Sequence, residues 1–470
     1  MGNEAHLHLL TPSHMSESFA SPMDTPQDDL NFDPRRPLSI DEAMRLATGL
    51  HRTGHREDAF EIYMRVIELA PNHADALHFL GILAHEQGSD ADAIRLMTHS
   101  VVLAPDRPGF RSNLGNLLLD NERFEDAERE YREALALDPD RPDALNNLAV
   151  LCKALGRYEE AERSLLRALE LAPDFNIARN NLARLFLQIG RIEESVAQAC
   201  EALVHDPLSA PSREMLGYAY CKSRRFDEAA KVYREWLADE PDNPSALHHL
   251  AACTGQGVPP RASDAYVQFV FDAFANTFDS RLAKLEYRAP HLVAMAVSDR
   301  LGAAAVDLQV LDAGCGTGLC APLLKPFASK LVGVDLSHGM LAKAHRRDLY
   351  DDLHQAELTG YMRQHPASYH LVVSVDTLVY FGVLDEAMGA AAGTLLPGGL
   401  LCFTVEGLGD GEPGDYHLQH HGRYAHSRAY LETVLKRAGL DVLKLDREIL
   451  RAEGGEPVAG WLVLAQRPNR

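Results

Sequence analysis

Val310-Leu311-Asp312-Ala313-Gly314-Cys315-Gly316-Thr317-Gly318-Leu319 is a short apolar run that ends in three glycines spaced two apart. Read as a strand entering a turn, it offers bare backbone where a Cβ would hold a ligand away. In Gly333-Val334-Asp335-Leu336-Ser337 a second apolar run ends in an acid, and Asp335 lies 21 residues after Gly314. A carboxylate at the end of the next strand can accept both hydroxyls of a ribose. The pair predicts a site for an adenosine-containing cofactor.

The sequence around this site alternates short apolar runs with helical stretches. Strands are expected at 306–311, 331–334, 371–375, 400–405, 441–445 and 460–465, with a short third strand near His354-Gln355-Ala356. Such alternation predicts a doubly wound, mostly parallel sheet of the Rossmann-like α/β class. The last two strands suit a terminal hairpin. Ligands in this architecture lie in the crevice outside the carboxyl ends of the strands.

The first half has a different period. Prolines fall at Pro37, Pro71, Pro105, Pro139, Pro173, Pro207 and Pro241, each step being 34 residues. Leu46, Leu80, Leu114, Leu148, Leu182 and Leu216 keep the same step, as do Ala47, Gly81, Gly115, Ala149, Ala183 and Gly217. Ala59, Ala93, Ala127, Ala161, Ser195 and Ala229 form a further column. Small residues let paired helices approach, leucines fill the seam, and each proline stops the helix before it. Gly54, Gly88, Gly156 and Gly190 suit the turn inside each pair. Self-similarity at this period predicts an all-α solenoid of helix pairs, closed by a capping helix from Pro244 to about Gly257.

Composition bounds the rest. The 470 residues carry 46 basic and 68 acidic side chains, a net charge of −22, with the excess mainly in the first half. Binding to phosphate backbones needs the opposite sign, so no nucleic-acid partner is expected. Residues 1–36 are rich in Ser, Pro and Asp without apolar periodicity, which predicts a disordered leader. No signal peptide, lipidation signal or membrane span is expected. Seven cysteines without a C-x-x-C pair predict a reducing compartment, and the cytoplasm is the expected location. Three segments result: a leader at 1–36, helical repeats at 37–257, and an α/β domain at 258–470, joined at Gly255-Gln256-Gly257-Val258-Pro259-Pro260.

The repeat columns resemble those of the tetratricopeptide repeat family, with six repeats at 40–73, 74–107, 108–141, 142–175, 176–209 and 210–243. The resemblance implies a groove for a protein or peptide partner, or a brace for a homo-oligomer. In the second half, Asp-x-Gly-x-Gly-x-Gly from Asp312 to Gly318 resembles the first motif of class I S-adenosylmethionine-dependent methyltransferases. A dinucleotide fingerprint would need a glycine where Leu319 stands. Phe271-Asp272-Ala273-Phe274-Ala275, Ser374-Val375-Asp376-Thr377-Leu378-Val379-Tyr380, Thr404-Val405-Glu406 and Arg423-Tyr424-Ala425-His426-Ser427 are similar to a bacterial family of methyltransferases with amino-terminal tetratricopeptide repeats.

That resemblance implies roles for individual residues. Asp312 orients the glycine loop, Gly314, Gly316 and Gly318 give close approach, and Asp335 takes the ribose. Leu336 and Met340 pack on the adenine, Glu357 receives its amino group, and Asp376 faces the methionine part or the acceptor. On the acceptor side, Asp376, Tyr380 and Glu406 are expected near the methyl group, with Arg423, Tyr424 and His426 closing over the substrate. His426 is the expected general base, its pKa lying near neutrality. A carboxylate acceptor would need no base and would place Arg423 as its anchor.

His417, His420, His421 and His426 lack metal-ligand spacing, and no metal is expected. The expected reaction is O- or N-methylation of a small molecule with S-adenosylmethionine. Two alternatives stay open: a protein acceptor held by the repeats, or a repeat scaffold whose second half binds cofactor without turnover.

Overall fold

The computed structural model describes residues 38–469, apart from 276–277, 280–281, 283–284, 303–306, 410 and 454–455. The expected leader at 1–36 lies outside the described residues. The described chain forms two compact units, one ending at Asn181 and the other beginning at Leu182.

The first unit is built of helix pairs: Ile40–Arg52 with Arg56–Leu69, Ala74–Glu86 with Asp90–Leu103, Pro108–Asp120 with Phe124–Leu137, and Pro142–Ala154 with Tyr158–Leu171. The first helix begins with a capping box, Ser39 accepting from the Glu42 N–H while the Glu42 carboxylate accepts from the Ser39 N–H. Ala43, Ala47, Ala59, Tyr63 and Leu83 are fully or nearly fully buried in its core. The small-residue column has a steric cause, since a Cβ on Gly115 would stand 2.5 Å from the Tyr131 ring.

Each inner turn closes in the same way. Gly54, Gly88, Glu122 and Gly156 have φ of 86°, 81°, 58° and 76°, and the residue after each donates its N–H five residues back, as His55 does to Leu50 O at 2.9 Å. This left-handed helix ending favours glycine, and Glu122 occupies it without one.

The second unit continues the pairs through Ala210–Lys222 and Phe226–Asp239, where Arg224 holds φ of 59° at the equivalent turn. The single helix Pro244–Thr254 follows and packs Ala246 and Cys253 against Tyr233 and Trp236. Helix Asp264–Phe274 and helix Ala289–Leu301 then lead into a nine-stranded sheet.

The strands are β1 (Leu308–Ala313), β2 (Ala328–Asp335), β3 (Asp352–Gln355), β4 (Tyr369–Ser374), β5 (Leu395–Gly407), β6 (Tyr416–Leu418), β7 (Tyr424–His426), β8 (Asp441–Glu453) and β9 (Glu456–Gln466). Their order is β3-β2-β1-β4-β5-β9-β8, parallel through β5, with β9 antiparallel to both β5 and β8. Alternate residues feed two cores. Leu311, Val332, Val372, Leu401 and Phe403 face one, while Val310, Leu331, Leu371, Leu400 and Cys402 face the other. Burial on both sides is why these strands read as continuous apolar runs.

The expected sheet and terminal hairpin are present, with three local differences. The first strand begins at Leu308, and Val306 lies outside the described residues. The strand expected at 400–405 begins earlier, at Leu395, where a register shift between Tyr369 and Leu371 accommodates the added residues. The small β6–β7 hairpin, with β7 parallel to the end of β5, was not foreseen. Three-residue strands give no periodicity to read.

Candidate active site

The chain returns from β1 to β2 on one side and to β4 on the other, so a crevice opens between their carboxyl ends. There the Gly314 and Cys315 N–H groups both donate to Val334 O, at 2.8 and 3.0 Å, turning the loop away from β1. A Cβ on Gly314 would collide with Thr377, and one on Gly318 would stand 3.0 Å from Tyr350. Gly316, at φ of 54°, is different: its nearest neighbour on that side is the Phe278 ring at 4.0 Å. Two of the three glycines satisfy packing, and the middle one presents open backbone to the cleft.

Asp335 is the fixed acid of this cleft. Its Oδ2 accepts from the Gly316 N–H and its Oδ1 from the Ser337 N–H, both at 2.9 Å. Burial raises its pKa above the ordinary value, and the Ser337, Gly316 and Leu336 N–H groups oppose that rise. Each oxygen keeps a lone pair for a further donor. Leu336, Glu357, Asp376 and Tyr380 also line the cleft, which encloses about 930 Å³ including its open mouth. Glu357 in addition caps helix Leu358–Gln364, accepting from the Thr359 and Gly360 N–H groups at 3.0 and 2.7 Å.

Two expected cofactor residues stand behind the wall. Met340 is buried on helix His338–Arg346 and does not line the cleft. Asp312 is buried, accepts from the Tyr350 hydroxyl at 2.7 Å, and has its pKa pushed up to about 7 by burial. It supports the loop from behind instead of facing the cleft, because Tyr350 occupies the space between Gly318 and Gly333.

The acceptor residues divide more sharply. Asp376 adopts φ of 51° at the end of β4, accepting from Thr404 Oγ1 at 2.8 Å and from Arg451 Nη1 at 2.8 Å. Glu406 and Arg423 do not line the cleft; they form a buried ion cluster beside it. Arg423 Nε donates to Glu406 at 2.6 Å, its Nη2 donates to both oxygens of Glu453 at 2.7 Å, and Arg451 also bonds Glu406 and Glu453. Three carboxylates against two guanidiniums hold both arginines in place, so Arg423 is already occupied as an anion anchor.

His426, expected as general base, is fully buried away from the cleft, with its Nε2–H donating to Gly382 O at 3.1 Å. Burial pushes its pKa down to about 4. Tyr424 is likewise buried, its hydroxyl donating to Pro259 O at 2.8 Å. Both belong to β7, whose pairing with the end of β5 turns them into the core. The other histidines of the insertion take separate partners, His420 Nδ1–H on Ala252 O and His421 beside Glu406. Among the described residues, no cluster of His, Cys, Asp and Glu is arranged to hold a metal ion.

Sequence reasoning missed Arg451, Arg261 and Tyr287. Arg261 and Tyr287 line the cleft, and Arg451 braces it through Asp376. Arg451 lies 75 residues from Asp376, and no spacing rule connects a hairpin strand to the end of β4.

Comparisons with known proteins agree with this layout. The tetratricopeptide repeat family matches residues 112–174, 153–212 and 180–244, and a methyltransferase domain family matches 284–445. Methyltransferase-like protein 27 of Homo sapiens is 30% identical over 155 residues, covering 32% of this chain and 60% of that protein. Malonyl-[acyl-carrier protein] O-methyltransferase of Enterobacter lignolyticus is 33% identical over 97 residues, 21% of this chain and 38% of that protein. The chain thus spans three fifths or less of the curated relatives it matches. Among solved structures, a tetratricopeptide repeat protein of Thermus thermophilus is 25% identical, with a TM-score of 0.35 over 39% of this chain and 99% of that one. Among the described residues, no helix is long and apolar enough to cross a membrane. The chain joins amino-terminal tetratricopeptide repeats to a carboxy-terminal methyltransferase domain.

Proposed function

We propose that this chain transfers a methyl group from S-adenosylmethionine to an oxygen or nitrogen of a small molecule, and that its repeats hold a protein partner. The observation that carries the reading is Asp335. Both of its carboxylate oxygens are aimed by backbone N–H groups, on the wall of a cleft where Gly316 leaves bare backbone exposed. That arrangement fits a ribose and the chain attached to it. When bound, the sulfonium supplies an electrophilic methyl group that leaves by in-line displacement.

The residues of the cleft then position and exclude. Asp335 accepts the ribose hydroxyls, Leu336 flanks the adenine, and Glu357 stands where it can accept from the adenine amino group. Phe271, Phe278, Tyr287, Tyr380 and Phe381 also line the cleft, Phe271 in edge-to-face contact with Phe278 and Tyr380, and these rings shut out water and suit an acceptor with a large apolar part. With His426 buried elsewhere, the acceptor atom arrives already nucleophilic, as a carboxylate or a neutral amine does. Arg261 is the cationic side chain of this cleft, half-exposed and paired with Asp264. The carboxylate option agrees with the Enterobacter relative, a malonyl-[acyl-carrier protein] O-methyltransferase.

A protein acceptor is the second reading, favoured because the last repeat, the capping helix and the α/β domain share one compact unit. Calorimetric titration of the full chain with S-adenosylmethionine, followed by labelled-methyl transfer into fractionated small-molecule and protein pools, tests both. Saturable micromolar binding with label in the small-molecule pool is expected. Absence of binding overturns the proposal, and label confined to protein selects the second reading.

A further inference from the structure

Cys221 lies in the last turn of helix Ala210–Lys222, and Cys253 lies in the last turn of helix Pro244–Thr254. Their Sγ atoms stand 3.1 Å apart. A disulfide needs roughly 2.05 Å, so about 1 Å of closure separates the two thiols from a bond. Cys221 is half-buried and Cys253 is buried directly beside it, in the cluster with Tyr233 and Trp236 of the last repeat. The other cysteines include the exposed Cys200 and the buried Cys152, Cys315, Cys320 and Cys402. The hydrogen bond between Cys221 and Cys253 lets one thiol stabilise the other's thiolate.

We propose that Cys221 and Cys253 are an oxidisable pair that a hydroperoxide converts into a disulfide stapling the last repeat to the capping helix. The thiolate of one cysteine attacks one peroxide oxygen; the O–O bond breaks, an S–O bond forms, and the departing hydroxide takes a proton to become water. The other cysteine's sulfur then attacks the sulfur of that sulfenic acid. The S–S bond forms, the S–O bond breaks, and a second water carries away the remaining thiol proton. Two thiols and one hydrogen peroxide give one disulfide and two waters, the sulfurs losing the two electrons that the peroxide gains.

The location gives the bond a consequence. Helix Pro244–Thr254 reaches the methyltransferase domain through His248, whose Nε2–H donates to Gly422 O at 2.8 Å, and through Ala252 O, which accepts from His420 at 2.9 Å. His248 also stacks on Tyr266, whose helix, Asp264–Phe274, carries the cleft residue Phe271. Closing the pair fixes one end of this path to the last repeat. The inference is independent of the methyl-transfer reading.

The test treats the reduced full-length chain with hydrogen peroxide, alkylates the remaining thiols, and maps the peptides by mass spectrometry with and without dithiothreitol. The Cys221 and Cys253 peptides are expected as one linked species, lighter than their sum by two hydrogens and separated again by the reductant. The thermal midpoint of the oxidised chain rises by several degrees and falls back on reduction. Cys221→Ser abolishes both effects. Recovery of both cysteines alkylated, at a peroxide dose that oxidises Cys200, overturns the proposal, as does their recovery as separate sulfinic acids. The wild-type map decides the question even if the serine variant fails to fold.

Discussion

Arg451 on β8 donates from Nη1 to Asp376 Oδ2 at 2.8 Å, tying the terminal hairpin to the end of β4 at the floor of the cleft. Arg451 is 4% exposed and also bonds Glu406 and Glu453, so one guanidinium bridges three carboxylates, two of which it shares with Arg423. Removing a single partner from such a cluster leaves charge buried without compensation. Arg451→Met should destabilise the fold by about 3–5 kcal/mol in urea denaturation. The deficit should narrow on acidification, because Asp376, whose carboxyl burial already holds above its ordinary pKa, can shed its charge by protonation. An unchanged midpoint, or a deficit that widens on acidification, would show that the cluster is not what holds Asp376.

Asp335→Ala should weaken S-adenosylmethionine binding by about 1.5–3 kcal/mol, roughly a tenfold to hundredfold rise in Kd, through loss of charge-assisted hydrogen bonds. Asp312→Asn should leave affinity nearly unchanged, since the amide oxygen still accepts from Tyr350 behind the loop. Calorimetry on the two variants separates the residue that faces the cleft from the one that supports it.

His426 makes the fold sensitive to acid. Its folded pKa of about 4 lies below the unfolded value of 6.5. The stability it contributes is therefore complete above pH 6.5 and is lost as the pH falls from there toward 4. Between pH 6.5 and 5.5 that loss is on the order of 1 kcal/mol. His426→Gln, which keeps a donor for Gly382 O, should flatten the stability-versus-pH curve by that amount. Equal slopes for variant and parent would sink this assignment.

The contrast between Asp335 and His426 shows what the sequence could and could not reveal. Asp335 was legible because its position follows from local rules: an apolar strand, an acid at its end, and a glycine turn one strand away. His426 was misread because its environment depends on pairing between a three-residue strand and the end of β5, a contact with no local signature. Arg451 was invisible for the same reason, its partners being distant in the chain. The 34-residue period sits at the other extreme. It marked the inner turns at Gly54, Gly88, Gly156 and Gly190, and the structure adds Glu122 and Arg224 at the same step in a left-handed conformation, although neither is glycine.

Arg224 therefore offers a simple stabilisation. A non-glycine side chain at φ of 59° costs about 1–2 kcal/mol, and glycine's freer unfolded chain returns roughly 0.5–1 of that. Arg224→Gly should raise stability by about 0.5–1 kcal/mol, read as a shift in denaturation midpoint at constant m-value. A lower midpoint would mean that the exposed Arg224 side chain makes a compensating contact.

The capping helix gives the last prediction. His248 donates to Gly422 O and stacks on Tyr266 at 4.1 Å, and Tyr266 is only 4% exposed. A chain of residues 258–470 loses that helix, leaving the Gly422 carbonyl without its donor and the Tyr266 ring in water. The carbonyl exchanges its protein donor for water at a cost of about 0.5–1.5 kcal/mol, and exposing the ring costs about 2 kcal/mol. A chain of residues 210–470 keeps the last repeat and the cap, and with them the Tyr233 and Trp236 packing that covers Ala246 and Cys253. The longer chain should unfold at distinctly higher urea concentration and bind S-adenosylmethionine like the full protein, while the shorter one should be destabilised by about 3 kcal/mol. Because Tyr266 shares a helix with the cleft residues Val267 and Phe271, the shorter chain should also bind more weakly. Equal midpoints and affinities for the two chains would make the cap dispensable and place the domain boundary at residue 257, whereas the expected difference makes the last repeat and its cap part of the α/β domain's own scaffold.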